Sequence, residues 1–327
     1  MGERVLNIFY SEPDEDRWLP FDRYPRRLVR RAVRGKRNPG GMERYFLNLR
    51  EGLDRIGVQY RANSFRYVRK SQGELIGIIG KGQLLRQHSW CNPIIFGPAV
   101  FSHPIDDPSV FSDLPIKTVL VSCEWMKRMY ESYINVPITI WAAGINTYIW
   151  TPSPHEGREI DVLVYDKIRW ERDTYGPELI NAILSDLHSL GLRYHVIRYG
   201  SYREEEYQRL LRKSRCMIFL VEHETQGFAY LQALSSGVPI LAWDRGGVWE
   251  DPEYFPDKVI FEPVTSVPYW DDRCGLRFSD IDSFKAQWSY FWDEVKRGAF
   301  RPRDYILENL TLEKSALHYL QIVKQIS

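Results

Sequence analysis

The sequence predicts an α/β protein with two domains, each built on a doubly wound parallel sheet. Three observations carry that expectation. Apolar strand-like runs alternate with helix-period segments in both halves of the chain. The connections between them are short. The 327 residues, 44% apolar and 27% charged, suffice for two separate cores.

The second half shows the alternation most plainly. "IDVLVY" (160–165), "YHVIRY" (194–199), "CMIFLV" (216–221) and "PILAW" (239–243) are strands. Between them, "GPELINAILSDLHSLG" (176–191) carries Leu179, Ile180, Ile183, Leu184 and Leu187 on one helical face. "REEEYQRLLRKS" (203–214) is a helix with acids first and bases last, matching the helix dipole. "GFAYLQALSS" (227–236) is a helix closed by Gly237, with Pro239 opening the next strand. In the first half, "RVLNIFY" (4–10), "ELIGIIG" (74–80), "PIIFGP" (93–98), "KTVLVS" (117–122) and "PITIWAAGI" (137–145) are strands. "GGMERYFLNLREGLDRIG" (40–57) and "EWMKRMYESYI" (124–134) are helices. The polar "TPSPHEGRE" (151–159) is a linker, which would leave a cleft between two α/β halves. "AQWSYFWDEVKRG" and "LTLEKSALHYLQIVKQ" add helices near the C-terminus.

Bulk properties exclude several function classes. The net charge of +1 favours no partner. Cys91, Cys123, Cys216 and Cys274 are too scattered for a zinc site or a disulfide framework. No apolar run reaches the roughly 18 residues of a membrane span. "MGERVLNIFYSEP" lacks the apolar core of a signal peptide, so a cytoplasmic protein is expected. There is no G-x-x-x-x-G-K-[ST] loop and no G-x-G-x-x-G after a strand, which disfavours nucleoside-triphosphate hydrolysis and dinucleotide binding.

Ligands of doubly wound sheets bind outside the carboxyl ends of the strands, so residues at those ends are the candidates. Glu224 stands where the 227–236 helix begins, either as a helix-terminal acid or as an acceptor of sugar hydroxyls. Gly227 is either a tight helix entry or backbone left bare for a ligand. Lys167, Arg169 and Arg172 follow the first strand of the second half and could neutralise a phosphate. Gly40 and Gly41 open a helix and allow close approach of an anion or a sugar. "DRYPRRLVRRAVRGKRN" (22–38) holds seven arginines and one lysine, with no acid from 23 to 37. It is a solvated arm, a helix for an anionic membrane surface or a nucleic-acid-binding segment, the last without a recognised motif. The histidines form no catalytic constellation, and adjacent residues of "EHE" do not converge on a metal.

Taken together, these motifs resemble the retaining GT-B glycosyltransferases of the family-four type (glycosyl transferases group 1). "HETQGFAYLQALSSGVPILAWDRGGVWE" is similar to the family's donor signature: an acid, seven residues, a second acid, then "A-x-x-x-G-x-P", a strand and "GG-x-x-E". Glu224, Gly237, Pro239, Gly246, Gly247 and Glu250 take their places in it. "PGGMERYFLNLREGL", "VSCEWMKRMY" and "IWAAGINTYIWTP" match further passages in the expected order, from about residue 4 to 250. The sequence departs from the pattern at Gln232, where the second acid stands, and at Asn146, where Asp is usual. The family's His after a central strand has no clear counterpart, with His103 a weak substitute.

The resemblance implies a GT-B fold of two Rossmann-like domains, at 1–152 for the acceptor side and 153–310 for the donor. The 311–327 helix would pack back on the first domain. It implies transfer from a nucleotide-sugar co-substrate, with retention and without metal or other cofactor. Glu224 would contact the transferred sugar, and Lys167 and Arg172 would stabilise the departing diphosphate. Gly40, Gly41, Arg169, Gly200, Thr225, Gln226, Gly227, Phe228, Gln232, Gly246 and Gly247 would line the donor, with Glu250 at its edge. The acceptor would be a glycan or a lipid-linked molecule; the basic charge of residues 23–37, not the resemblance, suggests the lipid-linked one and an anionic membrane surface at the inner face, with no nucleic acid expected as partner. A non-catalytic sugar-nucleotide or glycan binder, an epimerase and a phosphorylase are the alternatives.

Overall fold

A computed structural model describes residues 5–11, 19, 25, 29, 39–80, 82–98, 101–153 and 157–326. The basic 23–37 segment lies outside the described residues apart from Pro25 and Val29. In chain order the strands are β1 Leu6–Phe9, β2 Tyr60–Ala62, β3 Ile76–Ile78, β4 Ile94–Phe96, β5 Ile116–Val121, β6 Ile138–Ile140, β7 Ile160–Asp166, β8 Tyr194–Arg198, β9 Ser214–Leu220, β10 Ile240–Trp243 and β11 Gly275–Phe278. The helices are α1 Gly41–Arg55, α2 Phe65–Lys70, α3 Gln83–Gln87, α4 Val110–Asp113, α5 Glu124–Glu131, α6 Arg172–Tyr175, α7 Ala182–Ser189, α8 Glu204–Lys213, α9 Phe228–Ser235, α10 Ile281–Arg297, α11 Pro302–Asn309 and α12 Leu312–Ile326.

The chain forms two compact units. The first comprises Met1–Ser122, Lys127–Ala143 and Ser315–Ser327, the second Cys123–Met126 and Gly144–Lys314. The chain thus passes into the second unit at Gly144, before the polar 151–159 segment. Packing explains the position. Trp150 is buried, and its carbonyl accepts from Ser235 Oγ at 2.7 Å and Arg303 Nη1 at 3.0 Å. The same guanidinium reaches the carbonyls of Ser235 and Thr147, so 147–150 is tied into the second unit.

The first unit holds a six-stranded sheet in the order β2-β1-β3-β4-β5-β6, every pair parallel. A parallel sheet is covered on both faces, which is why β3 and β4 are only three residues long yet wholly buried. Phe9, Ile76, Ile78, Ile94 and Phe96 share one cluster with Val68, Leu84, Leu85 and Trp90. α12 closes the unit. Ser315 Oγ donates to the Ala142 carbonyl at 2.6 Å, and Trp141 Nε1 donates to the Ser315 carbonyl at 3.0 Å. The Tyr319 ring is fully buried, edge-on to Trp141 at 5.2 Å.

The second unit holds a five-stranded parallel sheet in the order β11-β10-β9-β7-β8. Val162, Val164, Cys216, Ile218, Leu220, Leu241 and Trp243 pack with Ile183, Leu187, Phe284, Trp288 and Phe291 from α7 and α10. The helix expected over 176–191 is a π-helical turn, Gly176–Asn181, followed by α7. α10 starts on a reciprocal cap. Asp280 accepts from Ser283 N at 2.8 Å, and Ser283 Oγ accepts from Asp280 N at 3.0 Å.

Among the described residues, Cys123, Cys216 and Cys274 are buried and all four cysteines are free. No described helix is long and apolar enough to cross a membrane.

One close approach gives a test of the packing. A Cβ added to Gly77 in β3 would lie 2.0 Å from Tyr319 Oη and 3.2 Å from its Cζ. Tyr319 Oη is buried and has no hydrogen-bond partner among the described residues. Gly77→Ala should therefore destabilise the fold by about 1–3 kcal/mol through overpacking. Tyr319→Phe, which removes the clashing oxygen, should recover part of that loss in the double variant. Urea unfolding of the single and double variants checks it; additive losses would exclude the contact.

Candidate functional site

In the second sheet β7 is flanked by β8 on one side and β9 on the other, so the winding reverses between β7 and β9. Such a reversal opens a crevice beyond the carboxyl ends of the two strands. The segments leaving those ends are Asp166–Arg172 after β7 and Val221–Gly227 after β9. They hold Lys167, Arg169, Arg172, Glu224, Thr225, Gln226 and Gly227 of the residues that the sequence singled out.

Lys167 and Glu224 meet at this crevice. Lys167 Nζ donates to Glu224 Oε1, and the two side chains are 13% and 12% exposed. The ammonium also stands 4.6 Å from the centre of the Tyr199 ring, a cation–π contact. The backbone of Glu224 is pinned on both sides. Its N–H donates to the Thr265 carbonyl at 3.0 Å, and its carbonyl accepts from Trp125 Nε1 at 2.9 Å. The carboxylate is therefore aimed by the main chain.

Gly227 caps α9 with φ +77°. A Cβ there would lie 2.2 Å from the Tyr230 ring and 3.3 Å from Glu224 Cβ, so both backbone and space require glycine. Gln226 and Gln232 are buried, whereas Thr225 and Phe228 are half-buried.

Arg172 is held across the β7 end. Its guanidinium donates to Asp166 Oδ1 at 3.0 Å and Oδ2 at 2.6 Å, and to the Ile168 carbonyl at 3.1 Å. The Asp166 hydrogen bonds raise its pKa. Arg169 Nε lies 3.6 Å from Glu222 Oε2, and its guanidinium covers the Trp170 ring at 4.2 Å. Arg245 pairs with Glu250 at 2.7 Å, beside the left-handed Gly246 and Gly247. Each of these four cations thus has a carboxylate of its own.

Glu222, His223, Asp166 and Arg245 complete the neighbourhood; the sequence weighed Glu222 and His223 only as metal ligands within "EHE" and singled out neither Asp166 nor Arg245. Glu222 is wholly buried, and Oε1 accepts from Arg169 N at 2.5 Å and Trp170 N at 2.9 Å. His223 is packed among Trp125, Trp170 and Trp249. Burial first, then the charges of Arg169, Lys167 and Arg245, push its pKa well below the usual range. It is neutral at pH 7. An indole N–H only donates, so the 3.1 Å bond from Trp249 Nε1 makes His223 Nε2 the acceptor and places the proton on Nδ1. Asp166 was legible as an acid six residues before Arg172. No local pattern announces the other three as a group.

The remaining candidates sit apart from this cluster in role. Gly200 turns the chain after β8 with φ +81°. Gly40 and Gly41 belong to the first unit, where Gly40 caps α1 and a Cβ on Gly41 would meet nothing within 4 Å. His103, also in the first unit, caps the turn Pro104–Asp106. Its Nδ1 accepts from Ile105 N at 3.2 Å, and its ring stands edge-on to Tyr133. Burial lowers its pKa to about 4, so it is a neutral turn cap. Among the described residues, no group of three or more His, Cys, Asp or Glu could hold a metal ion.

Comparison with known proteins matches no family model and no curated protein. Solved structures do match. The pneumococcal O-GlcNAc transferase GtfA, in complex with UDP and GlcNAc, aligns with a TM-score of 0.52 at 11% identity over 80% of this chain and 59% of that one. Sucrose-phosphate synthase from Thermosynechococcus elongatus aligns at 0.52 and 12% identity over 98% and 88%. The N-terminal domain of Candida albicans trehalose-6-phosphate phosphatase aligns at 0.51 and 13% over 99% and 97%. This chain spans about 59% of the length of the GtfA protein it matches. At such identities the likeness concerns the fold: two parallel-sheet α/β units with the GT-B architecture.

Proposed function

We propose that the chain is a retaining glycosyltransferase that moves a sugar from a nucleotide-sugar donor to a glycan or lipid-linked acceptor without a metal ion. The observation that carries this reading is the Lys167–Glu224 pair at the β7/β9 reversal, beside the bare backbone of Gly227. Cleaving the donor leaves a diphosphate whose charge grows in the transition state, where fixed cations act most strongly. Lys167 and Arg172 are the cations for that role. Glu224 would accept hydroxyls of the transferred sugar, and the N–H groups at Gln226 and Gly227 would hold sugar or phosphate oxygens. Gln232 would bond the ribose without an anionic acceptor.

A second reading, a sugar-nucleotide binder without turnover, draws on Gln232 in place of the second acid. Incubation with UDP-, GDP-, ADP- and dTDP-sugars separates the two. Donor hydrolysis or transfer, unaffected by a chelator, is expected; binding without turnover would select the second reading.

Glu224 holds the Lys167 ammonium and so competes with a phosphate for it. Glu224→Gln should therefore tighten nucleoside diphosphate binding severalfold while turnover falls, and Lys167→Ala should lower kcat about 10²–10³-fold. Weaker diphosphate binding in the Glu224→Gln variant would contradict this competition.

The lipid-linked acceptor rests on the basic 23–37 segment of the sequence. Flotation with vesicles of anionic and of neutral lipid should show retention on the anionic ones only. It should be lost when the arginines are replaced by glutamine. No retention on either would remove the membrane from the proposal.

A further inference from the structure

Glu222 has no part in the transfer chemistry proposed above, yet it is a fully buried carboxylate at the heart of the site. Its bonds explain why. The loop from Lys167 to Glu171 carries Lys167 and Arg169 and leads into Arg172 at the start of α6, and it is not a relaxed turn. Glu171 sits at φ 47° and ψ 34°, a left-handed conformation that is strained for a non-glycine residue. Strain of this kind persists only where the surroundings over-determine the backbone.

The ties that do so are specific. Lys167 N donates to the Leu220 carbonyl at 2.9 Å, and Ile168 N donates to Asp166 Oδ1 at 3.2 Å. The next two amides, Arg169 N and Trp170 N, both donate to the single oxygen Oε1 of Glu222. The Trp170 ring then stacks on neutral His223 at 5.2 Å, and Arg169 Nη2 contacts His223 Nε2 at 3.2 Å. The middle of the loop is thus bound by side chains from the segment after β9, and among the described residues Glu222 is the acceptor for both amides.

We propose that Glu222 is a positioning residue. Its buried carboxylate holds the Arg169 and Trp170 amides so that Lys167 and Arg172, on either side, are fixed where a diphosphate leaving group departs. The inference rests on the donor reading above. A shift of about 1 Å in such a group is enough to cost about a hundredfold in rate.

The test uses Glu222→Asp, which keeps the charge but shortens the reach, Glu222→Ala, and Glu222→Gln, whose amide oxygen can still accept both N–H groups. Arg303→Met serves as a structural control, because it removes three backbone-carbonyl contacts elsewhere in the same unit. UDP, GDP, ADP and dTDP, with their parent nucleosides, are titrated against each protein. Amide hydrogen exchange is followed at residues 169 and 170.

Glu222→Asp should weaken diphosphate binding about tenfold or more and lower kcat by about ten- to a hundredfold. Nucleoside affinity should stay within about twofold, and exchange at the two amides should accelerate. Glu222→Gln should restore both readouts to near wild type, and Arg303→Met should lower Tm without changing the ratio of diphosphate to nucleoside affinity. If Glu222→Ala does not fold, the Asp and Gln variants decide alone. Parallel loss of diphosphate and nucleoside affinity, or unchanged amide exchange in Glu222→Asp, would overturn the inference while leaving the donor reading intact. A wild-type chain that binds none of the diphosphates would overturn the donor reading, and this inference with it.

Discussion

The reversal of winding between β7 and β9 is the constraint on which the candidate site depends. Adjacent parallel strands end side by side, so the residues leaving them must share a crevice whatever their distance in sequence. Lys167 and Glu224 are 57 positions apart and still share a hydrogen bond. Everything else at the site elaborates that meeting. The main chain of Glu224 is tied at N–H and C=O, Gly227 turns α9 away at once, and Glu222 grips the opposite loop.

The strands of the sheet centres were legible because a parallel sheet covered on both faces demands continuous apolar runs, as "IDVLVY" and "CMIFLV" show. Of the four edge strands, β6 and β8 were legible and β2 and β11 were not. β2 reads "YRA" and β11 reads "GLRF", short mixtures of polar and apolar residues with one neighbour each. α11 escaped for a related reason: "PRDYILEN" buries only Pro302, Tyr305 and Ile306, too few for a helical stripe to stand out.

The site was legible in part. Glu224, Gly227, Lys167 and Arg172 occupy strand ends that sequence alternation locates, and the structure brings Glu224 to Lys167. The partnership of Glu222 with the amides of 169 and 170 was not legible, because a hydrogen bond to backbone leaves no complementary side chain to find. The tautomer of His223 was hidden for the same kind of reason: it depends on Trp249, 26 residues away and on a different strand's exit. His103 shows the converse. A histidine near a strand end invites a chemical role, and burial over a three-residue turn gives it a structural one.

The pairing of Lys167, Arg169, Arg172 and Arg245 with Glu224, Glu222, Asp166 and Glu250 has a kinetic consequence. Four pairs of opposed charges, each pair within a few ångströms, cancel beyond a Debye length, about 8 Å at physiological ionic strength. An anionic ligand approaching this cluster would feel little long-range pull, so its arrival rate would be that of unsteered diffusion and nearly indifferent to salt. Selectivity would then be exercised after contact, in how long the ligand stays once it has displaced a carboxylate from its cation.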